Sequence, residues 1–210
     1  MKPLEIYDQL LLMFPDAQCE LTHRNAFELT IAVLLSAQTT DKSVNRVTPA
    51  LFERYPDAAS LAKADPSEVE GYLHSLGLYR NKARNIIKLA QELIERFEGE
   101  IPSTREELMT LSGIGRKSAN VVLLECFNEP TVPVDTHVER VSKRLKLAKE
   151  EDSVLEVEKK LMRKFPKEYW RKMHHLLIFF GRYRCKSQHP ACEKCPFVSF
   201  CRYAKENGIR

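Results

Sequence analysis

The sequence predicts an all-α fold, on three observations. Apolar residues recur at three- and four-residue spacing through most of the chain. The periodic segments are bounded by helix-capping residues, prolines and glycines. No stretch alternates apolar and polar residues as a half-buried strand would, and neither an internal repeat nor a low-complexity tract interrupts the pattern.

The elements follow in order. Leu4, Ile6, Leu10, Leu11 and Phe14 predict an amphipathic helix that stops before Pro15. Residues 16–24 are polar and predict a loop, where Cys19 has no second cysteine near it and reads as an incidental thiol. Asn25 suits an N-cap for 27–35, which is apolar nearly all round and so predicts a central, buried helix. Thr40 or Asp41 can cap the next helix, running to about Tyr55, which leaves Gln38 in the connection. Pro66 opens a helix with Val69, Leu73 and Leu76 on one face, and Gly77 is expected to end it. Leu78 and Tyr79 then form a short loop, where an apolar side chain ordinarily folds inward. A strongly periodic helix follows over 82–97.

The stretch with the most chemistry comes next. Ser103 and Thr104 ahead of Glu106 and Glu107 predict a helix to about Leu111. Gly113 and Gly115 then allow a turn with φ > 0 and a bare backbone surface. A second helix carries Ala119, Val122 and Leu123 at helical spacing to about Phe127. Such a hairpin aims free backbone N–H groups and a positive helix end outward, which favours phosphate. Lys117 falls in the first turn of the second helix. The helix dipole and Arg116 both disfavour its charged form, and a neutral amine is a nucleophile towards carbonyl carbon. Residues 128–134, with Pro130 and Pro133, read as a crossing between domains. Asp135 begins a helix with Val138, Val141 and Leu145, so it serves at least as an N-cap. Two further helices are expected at about 153–165 and 168–183.

Cys185-x6-Cys192-x2-Cys195-x5-Cys201 closes a loop of four thiols that can hold either tetrahedral zinc or a [4Fe–4S] cluster. Zinc sites usually come as two close cysteine pairs, and only Cys192 and Cys195 form one. The chain has 210 residues, of which 43% are hydrophobic, enough for one large domain or two small ones and too apolar for wholesale disorder. No apolar run approaches membrane-spanning length and no signal peptide is visible. An intracellular protein of the cytoplasm or nucleoid is expected, and in such a protein six cysteines argue for metal rather than disulfides. The net charge is only +4, but residues 140–186 hold fifteen Lys and Arg against six Asp and Glu, a local field suited to a polyanion.

Leu34-Leu35-Ser36-Ala37-Gln38-Thr39-Thr40-Asp41, Leu76-Gly77-Leu78-Tyr79, the 111–120 hairpin, Val132-Pro133-Val134-Asp135-Thr136-His137-Val138 and the four cysteines follow one another along nearly the whole chain. In that order they resemble the endonuclease III family of helix-hairpin-helix DNA glycosylases. Ser112 departs from it, standing where the family hairpin usually has proline. The resemblance implies two helical domains with a DNA-binding cleft between them: 22–130 with the hairpin, and 1–21 joined to 131–210 with a [4Fe–4S] cluster on Cys185, Cys192, Cys195 and Cys201. It implies a monomer acting on double-stranded DNA that contains damaged bases or abasic sites. Lys117 and Asp135 would be catalytic. Gly113, Gly115 and Arg116 in the hairpin, and Arg184, Lys186 and Lys194 near the cysteines, would hold phosphates. Gln38 and Leu78 would fill the base stack when a nucleotide is flipped out. The implied activity removes oxidised pyrimidines such as thymine glycol and cuts abasic sites by β-elimination through a lysine Schiff base. One rival is a monofunctional mismatch or adenine glycosylase, a type that usually lacks lysine at the hairpin. The other is a non-catalytic metal-containing DNA-binding module, which would need neither Lys117 nor Asp135.

Overall fold

The computed structural model describes residues 1–209, and every regular element among them is helical. Chain order runs α1 (Pro3–Met13), α2 (Ala26–Leu35), α3 (Asp41–Arg54), α4 (Ala58–Leu61), α5 (Pro66–Leu73) and α6 (Tyr79–Phe97). It continues with α7 (Arg105–Leu108), α8 (Arg116–Cys126), α9 (Thr136–Arg144), α10 (Val154–Lys164), α11 (Trp170–Phe179) and α12 (Arg202–Glu206). A 3₁₀ turn, Lys167–Tyr169, leads into α11, and a π-helical turn, Phe180–Arg184, extends it. Two units result: Cys19–Glu129, and Met1–Gln18 with the chain from Pro130 onward.

The unit from Cys19 to Glu129 is built on α2. Asn25 caps it by accepting from the Glu28 N–H at 2.9 Å, and nine of its ten residues are buried. That all-round burial is what its unbroken apolar composition demands. Around it pack α3, α6 and α8, and α6 in turn carries α4 and α5. Leu29, Ile31, Leu35, Leu51, Leu73, Ile86 and Leu89 are fully buried. Each contributes about 1.5–3 kcal/mol through the area it removes from water.

Three boundaries differ from expectation. Helix α5 ends at Leu73 rather than Gly77, because the chain turns there and the Leu76 N–H donates to the Leu73 carbonyl at 2.8 Å. Leu76 stays in the core from that turn, so its apolar register is real although it is not helical. Helix α6 starts three residues early, on Leu78 as N-cap, and α7 is one turn long, ending before Leu111. The short α4 and α12 carry too few residues to show a period.

In the other unit, Val138 and Val141 of α9 pack with Met173, Leu176 and Leu177 of α11. Helix α1 joins them through Ile6 and Leu10. The Lys172 ammonium fastens the chain after α1, donating to the carbonyls of Pro15 at 2.6 Å and Ala17 at 2.9 Å. Phe180 and Phe197 meet edge to face, 5.3 Å between centroids, beneath the cysteine loop.

Candidate active site and cysteine loop

The hairpin between α7 and α8 is shaped by one glycine more than by two. Gly113 has φ +81°, and a Cβ there would lie 2.6 Å from Leu34 Cδ2, so both its backbone conformation and its packing on α2 require glycine. Gly115 is in ordinary extended conformation as the N-cap of α8, which corrects the expectation of φ > 0 at both positions. A Cβ at Gly115 would meet no atom of the chain, so its bare backbone faces open space. No side chain caps α8, which leaves the first-turn amides and the positive helix end available to an anion. Lys117 sits half-buried in that turn.

Ser112, where proline was the family expectation, accounts for itself. Its N–H and its hydroxyl each donate to the Glu92 carboxylate of α6 at 2.7 Å. Proline could make neither bond. The hairpin is thus tied to α6 by two charge-assisted hydrogen bonds instead of by a stiff ring.

Gln38 and Leu78 lie on two turns of the same unit, and both hold left-handed backbone, φ +53° and +60°. Such conformations in non-glycine residues cost on the order of 1 kcal/mol and cluster at functional sites. Both side chains are exposed. Leu78, 56% exposed, points out rather than folding inward as an apolar residue on a tight loop ordinarily does. Cys19 is also in this unit. Burial pushes its thiol up to about 11, against opposing pulls from its contact with the Leu21 backbone and, more weakly, from Lys117, so it is neutral at pH 7 and a poor nucleophile.

Asp135 caps α9 as expected. Its Oδ1 accepts from the backbone N–H groups of His137 at 2.9 Å and Val138 at 2.8 Å. The His137 ring Nδ1 lies 3.2 Å from its Oδ2. The carboxylate is therefore held through both oxygens, with a sixth of its side chain exposed at 17%.

The four cysteines line a single small cavity of about 20 Å³, otherwise walled mainly by apolar side chains such as Leu145, Phe180, Pro190 and Phe197. Burial raises the thiol pKa of Cys185 and Cys192, and the Arg144 guanidinium, donating to Cys185 Sγ at 3.3 Å, pulls Cys185 the other way. Among the described residues, no three His, Cys, Asp or Glu side chains converge as ligands of one ion. The thiols ring the cavity instead. Of the three cations expected to meet phosphate here, Lys186 and Lys194 are exposed. Arg184 is turned inward onto the Glu193 carbonyl, so it braces the loop.

Two arginines on α9 complete the loop's support. Arg140 donates to the carbonyls of Gly181 at 2.9 Å and Cys185 at 3.2 Å. Arg144 donates to those of Lys186 at 2.8 Å and Ser187 at 3.2 Å, and stacks on Tyr203 at 4.0 Å. Gly181 permits the close approach: a Cβ there would lie 2.9 Å from His137 Cβ. The helix that begins with Asp135 thus holds the cysteine loop along its length. Their sequence signal is faint, two arginines four apart on one helix with nothing to name their acceptors.

A glycine hairpin with open amides beside a half-buried lysine suits a nucleic-acid backbone, and the comparisons agree on the class. The HhH-GPD superfamily of base excision DNA repair proteins matches residues 31–167. The chain is 55% identical to endonuclease III of Bacillus subtilis (strain 168), over 93% of this chain and 89% of that one. It is 42% identical to endonuclease III of Escherichia coli (strain K12), over 99% and 98%. A solved endonuclease III, trapped as a covalent intermediate with DNA, superimposes with a TM-score of 0.94 at 53% identity, covering 99% of each chain. Within the superfamily, the chain belongs to the endonuclease III family.

Proposed function

We propose that Lys117 is the nucleophile and Asp135 its electrostatic partner in the reaction of this base excision DNA glycosylase and AP lyase. Double-stranded DNA is the partner, with the hairpin amides, Arg116, Lys186 and Lys194 meeting phosphates. Gln38 and Leu78 enter the stack as the damaged nucleotide leaves it. The Lys117 amine attacks C1′ of the deoxyribose, and the glycosidic bond pair departs with the base. Asp135 stabilises the positive charge that builds on the sugar, its two oxygens fixed by two amides and His137. The sugar ring then opens: the C1′–O4′ bond breaks, O4′ takes up the proton that the attacking amine gives up, and the iminium so formed at C1′ acidifies the C2′ proton. Its loss expels the 3′ phosphate by breaking the C3′–O bond, and water releases the lysine. Oxidised pyrimidines such as thymine glycol, and abasic sites, are the substrates the family resemblance favours.

One observation carries this reading: Lys117 stands in the first turn of α8, at the open hairpin, in a chain 53% identical to an endonuclease III trapped covalently on DNA. A water-activating glycosylase would have no use for a nucleophile there.

Cys185, Cys192, Cys195 and Cys201 would hold a [4Fe–4S] cluster. Four thiols around one apolar cavity, with Arg144 beside Cys185, fit a cluster that spreads its ligands and carries net negative charge. When bound it supplies a rigid anchor for the loop that presents Lys186 and Lys194.

Borohydride trapping on a duplex with one abasic site tests the chemistry. The wild type gives a covalent band, Lys117→Ala gives none, and Asp135→Asn gives a weak one. A band of full strength from Lys117→Ala would refute the assignment. Thymine-glycol and uracil duplexes then test base choice, with cleavage expected only of the first.

A further inference from the structure

Lys82 stands on the apolar stripe of α6, in register with Ile86, Leu89 and Leu93, and is only 6% exposed. Its backbone N–H closes the first turn of α6 on the Leu78 carbonyl at 3.0 Å. Its ammonium reaches across to the other turn and donates to Thr39 Oγ1 at 2.5 Å. The Thr39 hydroxyl in turn lies 3.4 Å from the Ala37 carbonyl, and the Thr39 N–H donates to the Ser36 carbonyl at 3.1 Å. These bonds enclose Gln38 and fix its left-handed backbone. One residue therefore contacts both the Gln38 turn and the Leu78 turn. Among the described residues no carboxylate pairs with Lys82, and burial lowers its pKa. A buried charge without a counter-ion is a cost, and a chain that needed only to fill this space would do so with a residue such as methionine.

We propose that Lys82 is a positioning residue that locks the Gln38 and Leu78 turns together, so that the two side chains enter the base stack as one unit. The proposal rests on the reading of Gln38 and Leu78 as stack-filling residues. Lys82 itself, buried, does not touch DNA. What it contributes is a fixed separation between two wedges, and preorganised spacing is what a concerted insertion needs.

The test uses the whole protein and a duplex carrying 2-aminopurine beside a tetrahydrofuran abasic analogue. Unstacking on binding raises its fluorescence. Lys82→Met keeps the volume and removes the charge, while Thr39→Val breaks the same bond from the other end. Both should lower the fluorescence rise by about fivefold or more, with affinity for undamaged duplex unchanged and thermal stability equal to or above wild type. Gln38→Ala and Leu78→Ala should be non-additive in the wild-type background and additive with Lys82→Met. A full fluorescence rise in Lys82→Met overturns the proposal. So does a loss matched by a fall in thermal stability, which would make Lys82 merely structural. If Gln38→Ala and Leu78→Ala each leave the signal intact, the stack-filling reading itself falls and takes the proposal with it.

Discussion

The unit that carries Lys117 and the unit that carries Asp135 hold their residues by different means. Around Lys117 the hairpin rests mainly on hydrocarbon, with Ser112 tied to Glu92 at its entry: Gly113 packs against Leu34, and α2 beneath it is buried on all sides. Around Asp135 the support is polar: Arg140 and Arg144 reach five acceptors in the π-turn and cysteine loop, and His137 and two amides hold the carboxylate. The difference follows from what each region must present. An array of backbone amides can be fixed by packing the helices that bear it. The segment from Cys185 to Cys201 has Phe197 as its one fully buried large side chain, too little apolar surface to order it, so cations take over, together with the cluster proposed on its four cysteines.

The largest expected effect separates chemistry from support. Lys117→Ala should lower abasic-site cleavage on the order of 10⁴-fold, with no change in melting temperature, because the side chain is not part of the core. Asp135→Asn should lower it about 10²-fold while keeping the helix cap, since an amide oxygen still accepts from both N–H groups. Asp135→Ala should add a stability loss of about 1 kcal/mol that Asn avoids. Single-turnover cleavage beside thermal melts reads both quantities. Equal stability loss in Asp135→Asn and Asp135→Ala would make the carboxylate charge, not the cap, the source of stability.

The comparison itself is tested by breaking one support at a time. Arg144→Met removes bonds to two carbonyls and a sulfur, and should loosen the cysteine loop by about 2–3 kcal/mol. Hydrogen exchange should quicken at residues 185–201 and stay unchanged in α2, and removing iron with a chelator should have the same pattern. Equal acceleration in α2 would mean that the two supports are not independent. On the other side, Gly113→Ala should cost about 2 kcal/mol, from the positive φ and from collision with Leu34. Leu34→Ala opens that space. The double variant should be less destabilised than the two losses added together, leaving the backbone strain of about 1 kcal/mol.

What was legible in the sequence divides along the same line. Caps are local, so Asn25, Thr40 and Asp135 each declared a helix that the structure contains. The nonpolar face of α6 was equally plain. Lys82 on that face is a cation in apolar register that the periodicity alone passed over, because its meaning depends on Thr39, 43 residues earlier. The acceptors of Arg140 lie 41 and 45 residues away, and no local pattern names them. Nor did anything local mark the left-handed backbone at Gln38 and Leu78, because only glycine advertises positive φ. Spacing and family resemblance named Lys117 and the cysteines. The supports that hold them, apolar packing on α2 for the hairpin and arginine–carbonyl bonds for the cysteine loop, are long-range and became readable only in three dimensions.

The smallest expected effect probes the apolar unit through two of its titratable groups, Cys19 and Lys82, which pull stability in opposite directions at alkaline pH. The Cys19 thiol is raised from 9.0 to about 11, so above pH 9 the folded chain keeps a proton that the unfolded chain loses. Stability from this group is therefore complete below pH 9 and declines as pH rises towards 11, by about 1 kcal/mol at pH 10. Lys82 is lowered from 10.5, so in the window below that value the unfolded chain binds more protons and stability rises with pH. Urea midpoints at pH 8 and pH 10 separate the two, because every other titrating group cancels between variants. Cys19→Ala should flatten the alkaline loss, and Lys82→Met should steepen it. If Cys19→Ala leaves the slope unchanged, the thiol is solvated in solution and the apolar unit is looser near Lys117 than its packing implies.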